Sequence, residues 1–257
     1  AFDEDLHIET VGGAARFIQL QPGLEVERSN SSTISLNYDK FHNNKQFNFV
    51  LEGFYSELNN PFIFANQTEL PNGVAVINKR NGSGAVVSGI NLEANLALGS
   101  TLVFQSGATF QQASYQKEEE LWAPELASSE LATTNTKRLL RTPETYAYFS
   151  LIYSPTELIT ISYSGIYTGS MDVAHVIDPE TERTVIKTTD DFFENNLKLS
   201  YTFKSDKDYK FEIFAGVQNI FDNFQDDFDL GAERDAGYVY GPLRPRTYSV
   251  GIKMGLR

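Results

Sequence analysis

Six side chains in this sequence have the chemistry to hold a small ligand: Trp122, Arg138, Arg141, Arg234, Tyr238 and Tyr240. A rigid aromatic ring stacks on a sugar or a conjugated ring, and arginine offers paired donors to an anion. All six fall in polar, turn-rich stretches, where binding groups concentrate. Asp226, Asp227 and Asp229, flanked by Asp222, Glu233 and Asp235, present hard oxygens suited to calcium. They lack the ordered Asp-x-Asp-x-Asp-Gly spacing, a solvated acidic loop is the commoner explanation for them, and no metal site is assigned. The three histidines, His7, His42 and His175, show no His-x-x-x-His pairing, and cysteine is absent, so a transition metal has little to build on. Ser170, Asp172 and His175 stand near one another as in a hydrolytic triad. Three polar residues in a polar loop are ordinary background, so neither a catalytic residue nor a cofactor is assigned. Glu118-Glu119-Glu120 reads as a solvated face.

These residues hang on elements with a period of two. Ile34, Leu36 and Tyr38 alternate with polar neighbours, and His42-Asn43-Asn44-Lys45 turns the chain into Phe47, Phe49 and Leu51. Ile90, Leu92, Ala94, Leu96 and Leu98 alternate next, and Gly99-Ser100 returns the chain through Leu102, Phe104, Ala108 and Phe110. Phe149, Leu151 and Tyr153 pass through Ser154-Pro155-Thr156-Glu157 into Ile159, Ile161, Tyr163 and Tyr167. Leu197, Leu199, Tyr201 and Phe203 pass through Ser205-Asp206-Lys207-Asp208 into Phe211, Ile213, Ala215 and Val217. The sequence finishes with Tyr248, Val250, Ile252, Met254 and Leu256 on one face, and Ser249, Gly251, Lys253 and Gly255 on the other. About nine strands result. The opposite face collects Asn91, Glu93, Asn95, Gln105, Thr109, Gln111, Asn196, Lys198, Ser200 and Glu212.

Short connections after residues 41, 98, 153 and 204 fall at one end of the strands; long ones near 58–82, 116–142, 170–192 and 223–243 fall at the other. Membrane β-barrels are built this way, whereas soluble sandwiches mix connection lengths at both ends. Nineteen Phe and thirteen Tyr are many for 257 residues. Tyr38, Phe41, Tyr55, Tyr115, Tyr146, Tyr148, Tyr163, Tyr167, Tyr201, Phe203 and Tyr248 gather near strand ends, as interfacial girdles would place them. A net charge of −13 excludes a nucleic-acid partner. An odd strand count does not suit a closed bacterial barrel, so the chain is expected to be one part of a larger barrel, opened at a long outer loop over about residues 1–32.

Several motifs resemble one family. Leu24-Glu25-Val26-Glu27-Arg28-Ser29-Asn30 is similar to a Leu-x-Pro-Glu-x-Ser segment, with Val26 in place of Pro. Arg141-Thr142-Pro143, Gly216-Val217-Gln218-Asn219-Ile220-Phe221-Asp222 and Gly241-Pro242-Leu243-Arg244-Pro245-Arg246-Thr247 complete the likeness to TonB-dependent outer-membrane receptors. The end, with Ser249, Gly251, Met254 and Leu256, resembles the signal read by the barrel-assembly machinery, although Arg257 stands where Phe is usual. The resemblance implies an all-β fold, the C-terminal portion (1–257) of a 22-stranded barrel in a Gram-negative outer membrane. It also implies a plug domain upstream, a TonB–ExbB–ExbD partner reached through the missing N-terminal region, lipid and lipopolysaccharide around the wall, and a small-molecule ligand on the outer loops. A passive porin-type channel and a soluble β-rich binding module are the alternatives.

Overall fold

Strict alternation sends successive side chains to opposite faces, so pairing the runs gathers most apolar residues on one face of the sheet and most polar ones on the other. The computed structural model describes residues 10–11, 14–69, 75–124, 130–178, 181–203, 209–232 and 234–256. The strands are Thr10–Val11 (β1), Ala14–Leu20 (β2), Arg28–His42 (β3), Lys45–Asn59 (β4), Phe62–Glu69 (β5), Ala75–Asn81 (β6), Ala85–Leu98 (β7) and Leu102–Trp122 (β8). They continue with Thr134–Arg138 (β9), Thr145–Thr156 (β10), Ile159–Thr168 (β11), Asp172–Asp178 (β12), Arg183–Thr188 (β13), Phe192–Phe203 (β14), Tyr209–Gln218 (β15) and Thr247–Leu256 (β16). No helix long and apolar enough to cross a membrane occurs among the described residues, which leaves crossing by strands untouched.

Nine strands form one antiparallel path, β16-β15-β14-β11-β10-β8-β7-β4-β3, with β9 added beside β8. These are the nine that the alternation marks out. Register fixes the faces, because directly opposed residues point the same way. Leu36 opposes Leu51, Leu51 opposes Leu92, Leu92 opposes Ala108, and Ala108 opposes Ala147. Leu151 opposes Tyr163, Tyr163 opposes Leu197, Leu197 opposes Val217, and Val217 opposes Tyr248. One face is therefore apolar across the whole sheet, and it is open: Ile34 is 79% exposed, Val250 80% and Met254 72%. A soluble monomer rarely shows apolar patches beyond a few hundred Å², whereas a lipid-facing wall must.

Polar groups on the apolar face satisfy one another. Ser106 donates its hydroxyl to the Ala94 carbonyl at 3.3 Å. Tyr163 Oη donates to Asn195 Oδ1 at 2.9 Å, and Asn195 is fully buried. Phe149 lies over this pair, 5.1 Å from the Tyr163 ring and 6.3 Å from that of Phe193. Apolar surroundings offer few partners, so such local closure keeps these groups satisfied.

Glycine matters where the sheet brings a ring across a strand. Phe54 opposes Gly89, Tyr148 opposes Gly107, and Phe214 opposes Gly251, all on the polar face. A Cβ at Gly251 would fall within 2.9 Å of Phe214 Cε1, so the missing side chain is what seats the ring. This corrects part of the girdle expectation: Tyr146 and Tyr148 share the face of Ser150, not that of Phe149. The Tyr148 ring turns inward because Gly107 leaves it room.

The short turns lie at one end. Asn43 and Gly99 take positive φ there, and Gly99 N donates to the Asn44 carbonyl at 2.6 Å, tying two turns together. The turn expected at Ser154-Pro155-Thr156-Glu157 is shorter than drawn, because β10 carries through a bulge to Thr156 before reversing. The Ser205–Asp208 turn and residues His7, Glu233 and Arg257 lie outside the described residues.

The long connections hold more strand than the alternation suggested. β5 and β6 join β2 and β1 in a separate sheet, β12 and β13 make a hairpin, and β8 runs on to Trp122 to meet β9.

Candidate functional site

The polar face carries a hydrogen-bonded lattice of short side chains. Asn48 Nδ2 donates to Asn37 Oδ1 at 2.7 Å and to Asp39 Oδ1 at 2.8 Å, and Asn95 Nδ2 donates to Asn48 Oδ1 at 3.0 Å. Asn91 Nδ2 donates to Glu52 Oε1 at 2.9 Å, and Thr109 Oγ1 donates to Asn91 Oδ1 at 2.8 Å. Farther along, Lys198 Nζ sits 4.4 Å from the Phe214 ring centre. This surface can hold water or a polar protein segment by hydrogen bonds.

At the long-loop end three connections interlock. Trp122 Nε1 donates to the Thr181 carbonyl in the β12–β13 turn at 3.1 Å, and Thr134 Oγ1 donates to the Thr184 carbonyl at 2.8 Å. Arg141, at positive φ, donates to the Val239 carbonyl at 2.7 Å and to the Gly237 carbonyl. Val176 N donates to Asp235 Oδ2 at 2.9 Å. His175 lies flat on Tyr238, ring centres 3.7 Å apart, and its Nε2 is 3.0 Å from Asp229 Oδ2.

Gln225 and Asp227 hold the loop after β15. Gln225 is 1% exposed; its Oε1 accepts from Tyr240 N at 2.9 Å and Gly241 N at 3.3 Å, and its Nε2 donates to the Tyr238 carbonyl at 3.2 Å. Asp227 accepts from the Tyr238 hydroxyl at 2.8 Å and the Tyr240 hydroxyl at 2.5 Å. Asn219, buried and at positive φ, donates to the Asn223 and Arg244 carbonyls at 3.1 and 2.9 Å.

Partial burial alone would raise the Asp227 carboxyl, but hydrogen bonds from Tyr240, Tyr238 and Gln225 outweigh it and leave the pKa lowered. At Asp229 burial again raises, and the bonds from His175 and the Asp235 amide carry the net shift downward. Burial, then the bond to Asp227, pushes the Tyr238 phenol up to about 12, and Tyr240 rises for the same reasons. Lowered acids stabilise the loop fully above their unfolded pKa, near about 3.9, and that contribution fades as pH falls through the folded values. Raised phenols stabilise it below about 10, and their contribution is lost as pH climbs through the folded values. Hydrogen-exchange protection factors for the Tyr240, Gly241 and Gly237 amides are thus expected to be flat between about pH 4 and 10 and to drop on either side. Protection that falls steadily between pH 5 and 8 would contradict this.

The structure places the sequence-derived candidates as follows. Arg141, Tyr238 and Tyr240 meet in the interlocked loops, where Tyr238 is buried with its ring on His175 and its hydroxyl on Asp227. Arg138 pairs with Glu144 and, at 3.4 Å, with Asp172. Arg234 closes its own turn on the Gly231 carbonyl at 2.8 Å, away from Arg138 in pairing. Asp226 is exposed and makes no bond with Asp227 or Asp229; no three carboxylate or imidazole groups converge on one point among the described residues. Asp172 bonds to Thr188 and Arg138, not to His175, so the triad geometry is absent there. The solvated-face reading of Glu118-Glu119-Glu120 fails at Glu119, which is 5% exposed, paired with Arg80 at 3.3 Å and capping the Ser83 amide at 2.5 Å. The pairing of β8 with β9 folds this position inward.

Gln225, Asn219 and His175 were not singled out as the organising residues. The Asn-Ile-Phe-Asp corner did signal Asn219, because Asn tolerates positive φ and can bond its own backbone. Removing the Arg141 bridge by Arg141→Ala is expected to cost about 1 kcal/mol locally, so the 223–243 amides exchange about five-fold faster. Unchanged exchange would show that the bridge contributes nothing.

The family described as TonB dependent receptor-like, beta-barrel, matches residues 6–220. Among curated proteins none matches the sequence. Solved structures similar in fold include the ferric-catecholate import receptor Fiu from E. coli K12, at 18% identity and TM-score 0.55, covering 91% of this chain and 28% of that one. The FrpB iron transporter from Neisseria meningitidis shares 17% identity at TM-score 0.57, over 94% of this chain and 33% of that one. The siderophore receptor PirA from Pseudomonas aeruginosa shares 13% identity at TM-score 0.55, over 97% and 34%. The chain thus spans about a third of the length of these structures.

Proposed function

Because this chain belongs to the TonB dependent receptor-like β-barrel family, we propose that it forms the C-terminal wall and outer loops of a Gram-negative outer-membrane receptor for a scarce nutrient. The protein is then a transporter component rather than an enzyme. The observation that carries the reading is the division of one nine-stranded sheet into an open apolar face and a hydrogen-bonded polar face, with long, interlocked loops at one end only. Lipid takes the first face, a plug supplied by the rest of the protein the second, and the solute the loop end. Among the described residues β3 and β16 end the sheet; hydrocarbon would not satisfy such edges, so this reading requires further strands to complete the barrel. A TonB partner drives release of the solute inward.

An iron chelate is the favoured solute, since the similar structures are described as iron or siderophore receptors. Trp122, Arg138, Arg141, Arg234 and Tyr240 line or brace the loop end that it would approach. The test is uptake of radiolabelled ferric chelates by cells with and without the full-length protein, in backgrounds with and without TonB. Uptake of one chelate that needs both is expected. Uptake that persists without TonB would contradict energised import and favour a passive channel.

A further inference from the structure

Two phenols end on one carboxylate in the loop after β15. The Tyr240 hydroxyl donates to Asp227 Oδ1 at 2.5 Å and the Tyr238 hydroxyl to Asp227 Oδ2 at 2.8 Å, with the two ring centres 5.3 Å apart. Four hard oxygens therefore stand side by side. A single buried side chain holds all three residues. Gln225 Nε2 donates to Asp227 Oδ1 at 3.2 Å and to the Tyr238 carbonyl at 3.2 Å, while its Oε1 accepts from Tyr240 N at 2.9 Å. The His175 ring covers one face of Tyr238. Asp227 itself is exposed and Tyr240 half-buried, so the carboxylate end of the cluster is open to a solute. Oxygens gathered, oriented from behind and reachable from in front make a metal site in which the phenol protons hold the metal's place.

The donor set selects the ion. Phenol oxygens bind a metal as phenolates, and an all-oxygen set with no thiolate or imidazole suits a hard cation. Both phenols hold their protons firmly: burial and the bond to Asp227 push Tyr238 up to about 12 and raise Tyr240 as well. A weakly polarising ion such as calcium leaves such protons in place, whereas a trivalent ion displaces them. Charge closes the choice. Ferric iron brings three positive charges against two phenolates and one carboxylate, so the occupied site is neutral. In that exchange two O–H bonds break and two iron–phenolate bonds form, and the carboxylate oxygens that the phenols release turn to the metal. The two protons pass to water or to the chelator that delivers the iron, with no change of oxidation state. Coordination positions that the chain does not fill are left to water or to that chelator.

We propose that Asp227, Tyr238 and Tyr240 form a site that binds ferric iron directly, with Gln225 positioning all three. The site stands on the loop's own geometry and does not depend on the transport reading. Titration of the full-length protein with ferric nitrilotriacetate tests it, read by the visible charge-transfer absorption of an iron(III) phenolate. The wild type is expected to develop that band with a single ferric ion per chain, and the 223–243 amides to gain hydrogen-exchange protection. Y240F and D227N should each weaken binding about a hundred-fold and lose the band. Y167F, which removes a lone bond between a tyrosine and Asp191, should keep both. Millimolar calcium should leave the band in place. No band in the wild type, a band untouched in Y240F, or equal loss in Y167F overturns the site. Displacement by calcium would show a carboxylate site without phenolates and overturn the ferric assignment. Protection gained outside 223–243 alone would put the metal elsewhere and overturn the site too, whatever Y240F does to the fold of the loop.

Discussion

Ile252→Arg is expected to destabilise the folded protein in lipid by about 2–4 kcal/mol, because the guanidinium would sit in hydrocarbon near the middle of the apolar band. Ile252 opposes Ile213, which opposes Tyr201, so no carboxylate stands among these cross-strand neighbours to pair with the charge. Ser249→Lys, three residues earlier on the opposite face, is the control: its side chain enters the polar side beside Gly216 and should cost well under 1 kcal/mol. Denaturant titration of the full-length protein in phospholipid vesicles gives both values. Equal costs at the two positions would mean that the faces are not differently solvated.

Gln225→Leu should be the most damaging change in the loops. The side chain is 1% exposed, and leucine of similar bulk keeps the volume while deleting every polar atom. Tyr240 N and Gly241 N would then lose their acceptor and the Tyr238 carbonyl its donor. Each buried group left unsatisfied costs about 1–3 kcal/mol. The consequence should spread, since Tyr238 carries the His175 ring and Asp227 depends on both tyrosines. Proteolysis of intact cells should then cut within 223–243 and within the β12–β13 hairpin together. Cleavage confined to the first loop would show that the connections are not coupled.

How much of this was legible before folding depends on the range of the interaction. The wall strands were, because period-two patterning is local and each run carries its own turn, as Asn43-Asn44 and Gly99-Ser100 do. The inward faces of Asn91, Asn95, Lys198 and Glu212 followed from the same parity. The loops were not. β12 and β13 alternate weakly on their own, and their hairpin shows only when paired. His175 meets Asp229 across 54 residues, and Arg141 meets Val239 across 98, separations that no local pattern encodes. For that reason the bonds by which Tyr238 and Arg141 hold the loops together had no signal in the sequence. The inward rings at Tyr148 and Phe214 were missed likewise, since each depends on a glycine in another strand.

The absence of cysteine makes a direct test of the central claim convenient within this segment. Single cysteines placed in turn at positions 247–255 of the full-length protein can each carry a nitroxide, and the label's collisions with dissolved oxygen and with a water-soluble nickel complex can be compared in lipid vesicles. A wall reading requires a period of two: labels at 248, 250, 252 and 254 should meet oxygen and exclude nickel, while those at 249, 251 and 253 should not. Uniform access to nickel, or a signal without that period, would contradict a lipid-facing wall.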